Sequence, residues 1–245
     1  MFPTKSSSLF RPTMPLLAIR THFDIFNLPL KDNSASLNTH ALQKQLHQLQ
    51  RQFHPDALVG KSKEEVERCE TIAAQVNSAY KILKDDYSRH RYIAYCLALL
   101  KKAGSSDNSS SKEGEILSSF DKDDAIVTEN DDIKLGEQVP VEFLEEMLDL
   151  HEEIEDDGED LSDERKKEML EVVDKVAKES NEECVKLLNA FGEEFWVKQV
   201  EEYKAKSSCS FESLGDEALS AQRRYIQSLM RWTYARNLQQ KIRDL

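Results

Sequence analysis

Apolar residues return every three or four positions through most of this chain, and no segment keeps the alternation of a strand. Phe23, Ile25, Phe26 and Leu28 make a short apolar turn closed by Pro29, and Lys31 to Ser36 read as a polar loop. Leu42, Leu46, Leu49 and Phe53 then follow at steps of four, three and four, one face of a helix that Asn38 or Thr39 can cap. That helix must end near Phe53, because Pro55 pushes His54 out of the α region. After a loop to Gly60, Ser62 and Glu65 have the spacing of a capping box. They open a helix that presents Val66, Cys69, Ile72, Ala73, Val76, Ala79, Tyr80 and Leu83. A further helix runs from Tyr87 to Lys101, with Tyr92, Tyr95, Cys96, Leu99 and Leu100 apolar and Gly104 as its stop. Two of these helices, joined by a short loop, form a small antiparallel hairpin with further helices at its flanks.

The pattern lapses over residues 103–139. Five serines lie between Ser105 and Ser111 and seven acids between Asp121 and Glu137, too little apolar surface to repay ordering. A disordered linker or insertion follows, with an ordered acidic lobe as the alternative. From Pro140 helix returns, with Val141, Leu144, Leu148, Leu150 and Ile154 read as its apolar stripe. Ser162 caps the next helix without a capping box, since Arg165 occupies the position of the acid. That helix extends for some forty residues with Gly192 as a weak point. Ser208 to Asp216 form a turn before a last helix bearing Leu219, Tyr225, Ile226, Leu229, Trp232 and Leu238. The fold class is therefore all-α: a small N-terminal hairpin domain followed by a three-helix bundle.

Charge divides the same way. Residues 1–100 carry a net +4, residues 101–220 a net −22 and residues 221–245 a net +5, within a formal total of −13. An acidic chain without a basic block is a poor nucleic-acid ligand. There is no apolar run of transmembrane length, so no membrane partner is expected. Cys69, Cys96, Cys184 and Cys209 have no metal-ligand spacing and read as reduced thiols; no bound metal and no cofactor are expected. Residues 1–20 are acid-free and Ser-rich and include Lys5, Arg11 and Arg20, the composition of a mitochondrial presequence or else of an untargeted tail. A matrix location is the first expectation and the cytoplasm the second.

The chemistry concentrates at His54, Pro55 and Asp56, between two helices. Pro55 fixes the backbone, so its neighbours are presented with little entropy left to lose. Asp56 can pair bidentately with a partner arginine, and His54 can donate and accept at once. Consecutive residues around a proline are poorly placed to act as a catalytic dyad, and no nucleophile stands nearby. With the preceding Q-R-Q-F and the following N-S-A-Y-K-I-L-K-D, this loop resembles the J domain over about residues 21–102. The resemblance implies docking on a DnaK-type chaperone and stimulation of its ATPase, with no enzymatic activity in the chain itself. It implies contacts from His54, Pro55 and Asp56 and from Lys44 and Arg51 on the preceding helix. That helix is thinly charged, Gln43, Gln45, Gln48, Gln50 and Gln52 filling much of it.

The second half adds a further likeness. F-L-E-E-M-L-D-L-H-E-E-I-E-D (Phe143 to Asp156), the opening F-D-I-F-N-L-P (Phe23 to Pro29) and the placement of Arg89, Tyr92 and Leu97 are similar to HscB/Jac-type co-chaperones. The resemblance implies that residues 140–245 bind an IscU/Isu-type scaffold on which iron–sulfur clusters are built. Leu144, Leu148, Asp149, Glu152, Asp156 and Tyr225 match the positions expected to touch it. The bland alternative is core packing for Leu144, Leu148 and Tyr225 and solvation for the three acids. Glu145 stands where the bacterial relatives tend to be apolar, so the contact is expected to be smaller or shifted there. The cysteine pairs of the tetracysteine zinc module that some animal relatives carry are not seen in this sequence, so a form like the fungal and bacterial ones is expected. A general protein-folding J protein, with the bundle serving dimerisation or client holding, is the competing expectation.

Overall fold

The computed structural model describes residues 21–53, 60, 62–104, 139–157, 160–206 and 214–245. Every regular element among them is helical. The expectations for residues 1–20, for the His54–Asp56 loop, for most of 103–139 and for Cys209 lie outside the described residues.

Helix α1 (His22–Ile25) starts on a capping box in which the Thr21 backbone donates to Asp24 Oδ2 at 2.7 Å. Asn27 turns the chain at φ 50°, a left-handed conformation that asparagine tolerates. The stretch read as polar loop contains a second short helix, α2 (Leu30–Asn33). Two features explain it. Pro29 presets the entry at φ −59°, and Asn33 and Ser34 return side-chain hydrogen bonds to the Pro29 and Leu30 carbonyls. Helix α3 (Thr39–Gln52) is capped by Asn38 through the Ala41 N–H at 3.0 Å and ends at Phe53, as the proline demands. Helix α4 (Lys63–Lys84) opens on the Ser62–Glu65 capping box and packs on α3. A single extended residue, Asp85, joins it to α5 (Asp86–Gly104).

Helix α5 differs in kind from α3. Helix α3 buries Leu42 and Leu46 on one side, whereas Tyr87, Arg89, His90, Arg91, Tyr92, Ile93, Ala94, Cys96, Leu97 and Leu100 of α5 are all buried. A helix enclosed on nearly every side has neighbours on both flanks. One flank is the hairpin and the other is the second half of the chain.

That half comprises α6 (Val141–Asp157), α7 (Asp163–Gly192), a π-helical stretch (Glu193–Val197), α8 (Lys198–Lys206) and α9 (Asp216–Asp244). Ser162 caps α7 through the Arg165 N–H, without a capping box. Gly192 is where the long helix changes: the α ladder gives way to a π turn immediately after it. The wider turn brings Phe195, Trp196 and Val197 all into the interior. Gly192 also packs closely, since a Cβ there would meet Leu188 Cδ2 at 3.2 Å. One reading is corrected. The core stripe of α6 is Phe143, Met147, Leu150 and Ile154, at steps of four, three and four, while Val141 and Leu148 are 64% and 56% exposed.

Two apolar cores result, and their border ignores the border between the two stretches of chain. The larger joins Phe23, Leu42, Leu83, Tyr92 and Leu97 to Leu188, Trp196, Val200, Tyr225 and Trp232. The smaller holds α6 against Met169, Val173 and Val176 of α7 and Ala235, Leu238 and Ile242 of α9. Helices α7 and α9 lie side by side and run through both.

Candidate functional site

On α3, His40, Lys44, His47 and Arg51 fall at steps of four, three and four, opposite the buried Leu42 and Leu46. All four are exposed, and with Gln43 and Gln48 they line a shallow groove of about 460 Å³. Neither Lys44 nor Arg51 is in an ion pair among the described residues, so both charges are free to meet an anionic surface. Helix α3 ends at Gln52, directly before the His54–Asp56 segment.

Helix α6 carries the opposite surface. It holds nine acids and no lysine or arginine, and no basic residue in its last turn. Glu153 is committed inside the molecule, held by Arg165 at 2.7 and 2.8 Å, and that guanidinium depresses its carboxyl. Glu155 pairs with Lys241 of α9 at 3.1 Å and with His151 at 3.4 Å. Glu145, Asp149, Glu152 and Asp156 have no such partners among the described residues and face solvent. Val141 and Leu148 stand exposed among them, and Leu144 is half-buried against the smaller core. The sequence-level stripe missed the exposure of Val141. Two interleaved apolar rows run along this helix, one at 143, 147, 150 and 154 and one at 141, 144 and 148, and spacing alone does not say which one is buried.

Tyr225 is elsewhere. It is fully buried, its hydroxyl donating to the His90 carbonyl at 3.1 Å and lying 3.0 Å from His90 Nδ1. The expectation that it offers an aromatic face to a partner is corrected. The cause is the shared core: α5 lies against α9 at that point, and an aromatic side chain with one hydroxyl suits a buried seam with one polar mate.

The seam is rich in such pairs. Trp196 Nε1 donates to Ser34 Oγ at 2.9 Å, and Tyr87 donates to Thr233 Oγ1 at 3.1 Å. Lys31 meets Glu193 at 2.7 Å and Lys204 meets Asp24 at 2.6 Å at its edges. Arg89, 1% exposed, donates to the Leu83, Ser34 and Ala35 carbonyls and pairs with Asp86. His90 is held neutral, its pKa lowered to about 3 by burial and by the Arg89 charge. Burial lowers His22 to about 4 as its ring stacks on Tyr92 at 4.2 Å. Cys96 and Cys184 are free and buried, and burial raises both thiols, which removes thiolate reactivity. No group of His, Cys, Asp and Glu among the described residues could hold a metal ion, and no described helix is long and apolar enough to cross a membrane.

No protein-family model matches the chain. A co-chaperone protein HscB homolog from Vibrio atlanticus is 31% identical over 138 residues, 55% of this chain and 60% of the relative. The HscB homolog of Vibrio campbellii is 38% identical over 72 residues, and HscB of Proteus mirabilis is 34% identical over 70. The chain is similar to HscB co-chaperones. The matched stretch spans 60% of the length of the first of these HscB relatives and 40% of the length of the other two. Among solved structures, the chaperone HscB from Vibrio cholerae is 20% identical, covers 92% of this chain and 96% of its own, and gives a TM-score of 0.48.

Proposed function

We propose that this protein is a J-protein co-chaperone of iron–sulfur cluster biogenesis. It binds an IscU/Isu-type scaffold, delivers it to a DnaK-type chaperone and stimulates that chaperone's ATPase, promoting cluster transfer. The observation that carries the reading is the kinship to HscB co-chaperones. The chain turns over no substrate of its own; its activity is exerted on the partner's nucleotide.

The geometry supports a division of labour. The free cations Lys44 and Arg51 lead into His54-Pro55-Asp56, and this end docks on the chaperone. The exposed Leu148 with half-buried Leu144, rimmed by Asp149, Glu152 and Asp156, captures the scaffold. The acids suit capture and work against stability. Residues Glu155 to Asp157 crowd the C-terminal end of α6, where the helix dipole disfavours negative charge by roughly 0.3–1 kcal/mol per group. Holding both partners on one body raises the scaffold's effective concentration at the chaperone's peptide site, without any new contact. The 103–139 segment is a solubilising insertion in this scheme. The acid-free residues 1–20 favour the mitochondrial matrix over the cytoplasm as the working compartment.

The test is single-turnover ATP hydrolysis by a purified DnaK-type chaperone, with and without purified scaffold. The chain should raise the rate, and the scaffold should raise it further. Asp56→Ala should lose stimulation and keep scaffold binding; loss of both together would overturn the two-site reading. Stimulation without selective scaffold capture would leave a general protein-folding J protein.

A further inference from the structure

Two arginines on one helix are buried alike and treated differently. Arg89 has three backbone carbonyls and Asp86 as partners. Arg91, 8% exposed, has no carboxylate among the described residues, and its Nε finds no acceptor. Its guanidinium carbon lies 5.8 Å from the centre of the Tyr87 ring. Buried arginines are almost always paired, because an uncompensated charge in the interior is costly.

A second guanidinium converges on the same ring. Arg236, from α9, stands 4.7 Å from its centre. Its side chain is half-exposed, and its nearest carboxylate, Asp85, is 3.7 Å away, longer than a charge-assisted hydrogen bond. Tyr87 itself is fixed, 5% exposed, bonded to Thr233 and edge-on to Trp232 at 5.3 Å. Two positive charges thus gather where α5 meets α9, with one loosely held carboxylate beside them.

We propose that Arg91 and Arg236, both placed over the Tyr87 ring, form a binding site for a small oxyanion, a phosphate or a carboxylate. Guanidinium forks match the oxygen spacing of both. Arg91 supplies the fixed inner charge. Arg236 is on the solvent side, leaves Asp85 and closes over the ligand. The bound anion ties α5 to α9 and so stiffens the joint between the chain's two halves. The site is independent of both partner faces and of the co-chaperone reading.

Thermal unfolding followed by circular dichroism tests this. The whole chain is titrated with inorganic phosphate and, in parallel, with acetate, sodium chloride holding ionic strength constant. A saturable rise of about 4 °C is expected at an anion concentration on the order of ten times the dissociation constant. A rise with phosphate alone assigns the site to phosphate, and a rise with both assigns it to oxyanions generally. Arg91→Gln should abolish the rise. Arg236→Gln, at a half-exposed position that keeps the fold, should weaken the apparent affinity by about five- to tenfold. A flat or non-saturating response overturns the proposal, as does an unchanged response in Arg236→Gln.

Discussion

The seam between α5 and the second half of the chain and the outer face of α6 use similar side chains to opposite ends. In the seam, Trp196, Tyr87, Tyr225 and Arg89 spend every polar group on a mate inside the molecule. On α6, Asp149, Glu152 and Asp156 spend theirs on none, and Leu148 stands exposed among them. Burial with a partner makes a polar group part of the fold, and exposure without one leaves it available. A residue's type therefore says little about which role it has. Tyr225, an aromatic expected at a partner surface, turned out to be seam, and Val141, expected in the core, turned out to be face.

Breaking the seam should have the largest effect. Trp196→Ala empties the largest fully buried side chain and removes the donor to Ser34 Oγ; a loss of about 3–5 kcal/mol is expected in urea denaturation. Because one core spans both halves, that loss should appear in a single transition, and two separated transitions would show that the halves unfold independently.

Acid attacks the same place. The folded-state values of His22 and His90 lie below the ordinary histidine value, near 4 and 3, so the unfolded chain takes up these protons first. Their contribution is complete above about pH 6.5 and is lost progressively as pH falls toward 4. Urea midpoints measured from pH 7.5 to 4.5 should decline across that window. His22→Phe should flatten part of the decline. It should also gain about 1 kcal/mol at pH 7, because both ring nitrogens of His22 are buried without partners.

The faces should respond in the reverse sense. Asp156→Lys relieves the negative end of the α6 dipole and should stabilise the fold by about 0.5 kcal/mol, while weakening scaffold binding in a titration. A variant that is more stable yet binds worse separates a surface kept for a partner from one kept for folding. Smallest of all, Lys44→Ala with Arg51→Ala should leave stability within about 0.5 kcal/mol and lower chaperone stimulation, most visibly at low salt.

Much of the architecture was legible because its causes are local. The Asn38 cap, the Ser62–Glu65 box, the stop before Pro55, the plain cap at Ser162 and the weakness at Gly192 each depend on a few neighbouring residues, and each stands where spacing placed it. The short helix α2 was missed because its support, a proline entry and two side-chain returns to carbonyls, carries no apolar period. The exposure of Lys44 and Arg51 on α3 follows from their spacing against the apolar face at Leu42 and Leu46. The α6 stripe was legible only in part, since two apolar rows run along that helix and periodicity does not say which one meets a neighbour.

By itself, then, the sequence determined that the protein is helical and where most helices begin and end. Those follow from backbone sterics, capping and periodicity, all of which act within a turn or two. Only the tertiary structure decided that α5 is enclosed on nearly every side, that Trp196 reaches Ser34 and that Tyr225 reaches His90. Contacts between residues more than a hundred positions apart depend on how whole helices pack, and the burial that results turns an aromatic or a cation into core or into surface.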